Sequence, residues 1–133
     1  MNLFVDTSAW YALNDRSDQY RDAALERMSR ISAGQVGLIT SDYILDESLT
    51  LISARTDRRT AIAFGDLLLK SSTIQLVTIT KELRQSAFDL FKKYADKNLS
   101  FTDCTSFALM KQLKLKTAFT FDDHFRQVGF EIW

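Results

Sequence analysis

The chain has 133 residues, with 17 Lys plus Arg balanced by 17 Asp plus Glu, one His, one Cys, four Gly and no Pro. A length of this order buries about 68% of the unfolded surface in one domain, so no disulfide or metal staple is needed; the lone Cys104 also excludes an intramolecular disulfide and a cysteine-based zinc cluster. Zero net charge excludes a protein that coats duplex nucleic acid by bulk electrostatics, and leaves only local contacts.

In chain order, the first apolar run is Leu3 to Val5, a short strand cut by Asp6. Thr7 and Ser8 follow as N-cap residues for a helix through Trp10 to Leu13. Tyr20 to Ile31 has three- and four-residue apolar spacing and predicts a helix; Val36 to Ile39 predicts a strand. Helices are predicted over Tyr43 to Arg55 and Arg58 to Lys70, a strand over Ile74 to Ile79, and helices over Leu83 to Tyr94 and Phe101 to Leu113. Thr117 to Phe121 predicts a further strand, His124 to Val128 a short helix, and Phe130 to Trp133 a last strand. No linker, repeat or low-complexity tract divides the chain, so residues 1–133 are expected to form a single domain. Strands alternating with helices predict an α/β fold with a central, mostly parallel β-sheet flanked by helices. No window approaches the roughly 18 apolar residues of a membrane span, so a soluble, cytoplasmic protein is expected.

In open parallel sheets ligands gather beyond the carboxyl ends of the strands. Asp6 and Asp122 each directly follow a predicted strand and should face that crevice, although a cap or turn role accounts for either acid alone. Glu47 interrupts a largely apolar helix face between Tyr43, Ile44, Leu51 and Ala54, whereas Asp46 points the other way. A carboxylate on such a face is desolvated unless a cation or donors meet it; a Lys or Arg partner at the edge of the stripe is the plainer alternative. Asp103 ends the sequence Ser100-Phe101-Thr102-Asp103, a form of the capping box, yet its helical phase falls between Phe107 and Met110 on the inward face. The helix dipole there is expected to keep it ionised. Four acids converging on one crevice repel one another unless a divalent cation neutralises them. All-oxygen ligands select Mg²⁺ or Mn²⁺, the ions of metal-assisted phosphodiester hydrolysis.

Four segments in order carry a resemblance across essentially the whole chain: Phe4-Val5-Asp6-Thr7-Ser8-Ala9, Thr40-Ser41-Asp42-Tyr43 leading to Asp46-Glu47-Ser48, Ser100-Phe101-Thr102-Asp103-Cys104, and Thr120-Phe121-Asp122. The chain resembles the PIN-domain nucleases, in particular the branch of VapC-type ribonuclease toxins of toxin–antitoxin pairs. The resemblance implies a PIN-like fold with helices on both sides of the sheet, Mg²⁺ or Mn²⁺ dependence, and cleavage of single-stranded or looped RNA. It implies that Asp6 and Asp103 are the principal metal ligands, and that Glu47 and Asp122 hold a second ion or waters and orient the nucleophile. Ser8 resembles a residue that hydrogen-bonds to the site, with Thr7 a weaker candidate; Asp122 is favoured over its neighbour Asp123. A homodimer and an antitoxin partner are also implied, formed through helices in the half that holds Tyr20 to Ile31 and Arg58 to Lys70. Their stripes, including Ala24, Leu25, Met28, Phe64, Leu67 and Leu68, exceed what a core needs.

Other residues are read structurally. His124, the sole histidine, is assigned to packing at a helix start or to the surface. Phe119, Phe121, Phe125, Phe130 and Trp133 are assigned to the core around the last strands. Arg55, Arg58 and Arg59 form a basic cluster at a helix junction, either solvated or contacting phosphate or an acidic partner. Two other functions compete: an acidic α/β phosphotransfer module, and a noncatalytic RNA- or protein-binding module of the same fold. A response-regulator receiver is disfavoured because Asp6 is followed by Thr7-Ser8 and not by Asp-x-Asp; a silent module is disfavoured because none of the four acids is missing.

Overall fold

The computed structural model describes residues 1–133 throughout. The elements are β1 (Asn2–Val5), α1 (Thr7–Asn14), α2 (Arg21–Ala33), β2 (Gly37–Ser41), α3 (Asp42–Arg55), α4 (Arg58–Lys70), β3 (Ile74–Val77), α5 (Lys81–Lys93), α6 (Phe101–Gln112), β4 (Thr117–Phe119), α7 (His124–Gln127) and β5 (Glu131–Ile132). Five strands form one sheet in the order β3-β2-β1-β4-β5, and every neighbouring pair is parallel. The expected α/β architecture is present, with a sheet that is wholly rather than mostly parallel. Leu3, Phe4 and Val5 in β1 are all fully buried, as are Ala118 and Phe119 in β4. Consecutive strand residues point to opposite faces, so helices cover both sides of the sheet centre.

The strand order decides where a site can form. The chain lays down β1, β2 and β3 outward in one direction, then returns through α5 and α6 to place β4 on the opposite side of β1. The direction reverses between β1 and β4, and at such a switch point the connections diverge and open a crevice at the carboxyl ends.

Polar caps set the helix starts in a chain that lacks proline. Ser41 accepts from the Ile44 amide at 3.2 Å, Asp57 from Thr60 at 2.7 Å, Thr80 from Leu83 at 3.1 Å and Ser100 from Asp103 at 3.0 Å. The first helix differs from expectation: Asp6, not Thr7 or Ser8, is its N-cap, and Thr7 is already helical. Three strands, β3, β4 and β5, are shorter than predicted, and in the first two side chains capture the ends. Beyond Val77, the Ile79 amide donates to Asp42 Oδ1 at 2.9 Å; beyond Phe119, the Phe121 amide donates to Ser8 Oγ at 2.9 Å. Gly129, with φ of 99°, makes the turn into β5.

Helix α6 is the central pillar, with Cys104 to Met110 buried without interruption. Phe107 meets Phe125 edge-on at 5.0 Å and Phe130 at 5.8 Å, and Phe125 reaches Phe4 of β1 at 6.2 Å. Of the aromatic residues assigned to the core, Phe119 and Phe125 are fully buried, while Phe121, Phe130 and Trp133 pack against it partly exposed. Truncating Phe107 to Ala leaves a cavity under both the sheet and α7, and a loss of about 3–5 kcal/mol in urea unfolding is expected; a loss below about 1 kcal/mol contradicts this packing.

Candidate active site

The switch point is built around Asp6. Its amide donates to Phe119 O at 3.1 Å, which joins the end of β1 to β4. Its side chain caps α1 and accepts from Ser8 N at 3.4 Å, Ser8 Oγ at 2.9 Å and Thr120 Oγ1 at 2.9 Å. All three donors reach Oδ2, and the other carboxylate oxygen accepts none of them. The two hydroxyls also accept: Thr120 Oγ1 from the Asp122 amide and Ser8 Oγ from the Phe121 amide, each at 2.9 Å. One network therefore fixes Asp6 and sets the path of the chain through Asp122.

The other acids arrive on separate elements. Glu47 projects half-buried from α3, while Asp46 is exposed, as the helical phase predicts. Ser48, which follows Glu47, donates to Thr7 Oγ1 at 3.3 Å. Asp103 completes the capping box by accepting from the Ser100 amide at 3.1 Å, and its side chain is nonetheless only 13% exposed. Capping and an inward position thus coexist. Asp122 Oδ1 accepts from the His124 amide at 2.9 Å. The neighbouring Asp123 turns outward and pairs with Arg126 at 2.7 Å.

Asp6, Glu47, Asp103 and Asp122 line one cavity of about 560 Å³, together with Thr7, Ser8, Tyr11, Arg55 and His124. Asp18 adds a further acid at its wall, and Arg55 is its only Lys or Arg side chain. Arg55 stands 5.3 Å from the centre of the Tyr11 ring, whereas Arg58 and Arg59 lie exposed at the start of α4. The basic cluster is therefore divided, with one member at the site.

Burial governs the ionisation of these acids. Asp6 is pushed up to about 6, chiefly by loss of water; the Thr120 and Ser8 hydrogen bonds oppose the shift and the Asp103 charge adds to it. Glu47 is raised by burial, opposed by the Thr7 hydroxyl and reinforced by Asp6 and Asp122. Asp103 is also raised, by burial first, against the Ser100 amide bond. Burial and the Asp122 and Glu47 charges thus act against the ionised form that the helix terminus favours. A divalent cation would reverse the balance, because it turns mutual repulsion into shared attraction.

Two residues at the site are given no role in it by the sequence reading. Thr120 is fully buried and donates to Asp6; the signal was a hydroxyl closing an apolar strand run two residues before an acid. His124, assigned to packing or surface, instead lines the cavity with Nδ1 2.9 Å from Asp122 Oδ1 and 3.7 Å from Asp103 Oδ2. Ligand atoms of Asp103, Asp122 and His124 all lie within 4.8 Å of one another, a spacing that one ion can span. The donor set, carboxylate oxygens with one imidazole, suits a hard or borderline divalent ion such as Mg²⁺ or Mn²⁺.

Carboxylates gathered at the switch point of a parallel sheet are the arrangement of metal-assisted phosphodiester hydrolases. The PIN domain family model matches residues 3–131, and the chain belongs to the PIN-domain family. It is 32% identical over 129 residues to the 23S rRNA-specific endonuclease VapC20 of Mycobacterium tuberculosis, covering 96% of this chain and 95% of that one. It is 25% identical to a VapC ribonuclease of Archaeoglobus fulgidus, across 100% of this chain and 86% of the relative. The crystal structure of M. tuberculosis VapC20, described as a Sarcin-Ricin loop cleaving toxin, superposes with a TM-score of 0.87 at 31% identity over 96% of this chain and 95% of that one. VapBC2 of Rickettsia felis, solved with a promoter DNA fragment, shares the fold with a TM-score of 0.74 at 12% identity, covering 100% of this chain and 98% of its own.

The raised Asp6 carboxyl links site and stability. Between its unfolded value of 3.8 and its folded value of about 6, the folded state binds the extra proton. Stability of the metal-free protein is therefore expected to fall as pH rises through that window. The loss relative to Asp6→Asn is on the order of a few kcal/mol, at about 1.4 kcal/mol per pKa unit. Urea titrations of both proteins between pH 4 and 7 check this, and a constant difference between them overturns it.

Proposed function

We propose that this chain is a divalent-metal-dependent endoribonuclease and the toxin of a toxin–antitoxin pair, with residues 1–133 acting as one PIN domain. The convergence of Asp6, Glu47, Asp103 and Asp122 on a single cavity, in a chain of this family, carries the reading. Two relatives bear names that specify RNA cleavage, and one is described as cutting an RNA loop. Single-stranded or looped RNA is accordingly the substrate class.

Asp6 and Asp103 are the principal ligands. Asp6 is fixed for this by Ser8 and Thr120, and Asp103 by its capping box. When bound, Mg²⁺ or Mn²⁺ supplies Lewis-acid stabilisation of the phosphoryl oxygens and of the leaving oxygen. Asp122 completes the acidic wall from the β4 side. Glu47, held by neighbours that raise its proton affinity, orients the attacking water and takes its proton on the side-chain carboxylate. Thr7 supports Glu47 through its hydroxyl. Arg55 at the rim meets a substrate phosphate and anchors the strand.

The partners are an antitoxin chain and a second copy of this one. Of the stripe residues, Ala24, Phe64 and Leu68 are spent in the core, but Leu25 on α2 is 47% exposed, and Ile62, Leu67 and Leu69 on α4 are 55%, 56% and 62% exposed, which supports a covered surface. No helix is long and apolar enough to cross a membrane, which agrees with a site of action in the cytoplasm.

Purified protein is expected to cleave RNA in Mg²⁺ or Mn²⁺ and to stop in EDTA. Asp6→Asn and Asp103→Asn are each expected to lower the rate at least about 100-fold with the circular dichroism spectrum retained. An Asp103→Asn protein that cuts as fast as the parent overturns the assignment, and binding of RNA without cleavage by the parent indicates the silent module. Added Mn²⁺ is also expected to raise the parent's melting temperature, because a ligand of the folded state stabilises it; Asp123→Asn should leave both rate and shift unchanged.

A further inference from the structure

Histidine 124 has chemistry that the four acids do not explain. Its Nδ1 is buried and has no hydrogen-bond partner. The atom nevertheless lies 2.9 Å from Asp122 Oδ1 and 3.7 Å from Asp103 Oδ2. That Asp122 oxygen already accepts the His124 backbone amide at 2.9 Å. In the neutral ring with its proton on Nε2, an imidazole nitrogen this close to two carboxylate oxygens, and aligned with neither for a hydrogen bond, presents lone pair to lone pair. The contact is repulsive unless a positive centre lies between the atoms.

We propose that His124 is a nitrogen ligand of the divalent cation and shares it with Asp103 and Asp122. The inference rests on the metal-dependent reading above. Two adjacent ligands of an octahedral ion at about 2.1 Å stand about 3 Å apart. The 2.9 Å separation from Asp122 is that of adjacent donors around one centre, and the 3.7 Å from Asp103 lies between the adjacent spacing and the roughly 4.2 Å of opposite donors. The backbone that carries the ring is held on both sides. The bond from its own amide to Asp122 fixes the Asp-x-His turn, and the next residue, Phe125, is fully buried against Phe107 and Phe4. The side chain as a whole is 28% exposed, so the ring is accessible at the cavity while Nδ1 stays buried.

A nitrogen donor changes which ion the site prefers. Imidazole suits first-row transition ions, whereas Mg²⁺ favours oxygen. Of the two ions, Mn²⁺ therefore gains more from His124 than Mg²⁺ does. Removing the ring is expected to weaken Mn²⁺ binding about 10-fold or more, at the scale of losses seen on stripping support from metal sites, and to change Mg²⁺ binding far less.

The chain contains one histidine, which makes the test unambiguous. Tag-free protein loaded with Mn²⁺ is measured by electron spin-echo envelope modulation, with competition titrations of Mn²⁺ and Mg²⁺ alongside. The parent should show modulation from a directly bound imidazole nitrogen. Growth with ¹⁵N-histidine should convert it to the ¹⁵N pattern with no change of sequence, so the test does not depend on a variant that folds. His124→Ala and His124→Asn should still bind Mn²⁺ but lack the signal. Bound Mn²⁺ with no nitrogen modulation, or a signal unaltered by the label, overturns the role of His124 and leaves the metal reading standing. Failure of the parent to bind Mn²⁺ at all overturns both.

Discussion

The structure turns on a carboxylate buried where the sheet reverses its strand order. Asp6 ends β1, caps α1, hydrogen-bonds through its backbone to Phe119 of β4 and receives two hydroxyls on one oxygen. Hydrogen bonds to an ionised group contribute about 1.5–3 kcal/mol each. Here they do not offset desolvation, since the Asp6 carboxyl remains at about 6. The fold thus holds a group whose charged form is incompletely compensated by the protein. Glu47 and Asp103 share this condition, and their mutual proximity deepens it. A proton can supply the compensation, and so, in the proposed function, can a divalent cation, which this donor set suits.

The same constraint reframes the balanced charge of the sequence. Equal numbers of acids and bases suggest a surface indifferent to polyanions. Four acids withdrawn to one cavity leave the remaining surface modestly basic, with Arg55 at the cavity wall. RNA approaching that cavity meets carboxylates that repel its phosphates. A bound cation changes the sign of the interaction, so one ion would serve substrate binding and chemistry together.

Much of this was legible in the sequence, for reasons that can be traced. Asp6 and Asp122 follow apolar strand runs, and the crossover rule for parallel sheets sends strand ends to one edge. The phase of Glu47 against Asp46 depends only on helix geometry, and α3 retains that geometry. Arguments that stayed local were incomplete. The helix dipole at Asp103 is a property of α6 alone, whereas its raised pKa comes from burial and from acids on other elements. His124 was read by its place at a helix start, and its contact with Asp103 of α6 exists only once the chain has folded. The early end of β4 has the same origin: the Ser8 hydroxyl from α1 takes the Phe121 amide that a longer ladder would have used.

The acids differ in how firmly they are held, and this separates their roles. Asp6 is fixed by two hydroxyls, Asp103 by the capping box and Asp122 by the His124 amide. Each is thereby prevented from rotating away from its neighbours, despite the repulsion among them. Glu47 has a longer side chain in the middle of α3, and the hydroxyl that supports it, Thr7, is itself engaged by Ser48. An acid that must take up a proton and release it needs freedom that a ligand does not. In the proposed function the three braced carboxylates serve as the ligands, since a misplaced donor weakens an ion's hold. In the same reading Glu47, which is less braced by hydrogen bonds than Asp6 or Asp103, serves proton transfer.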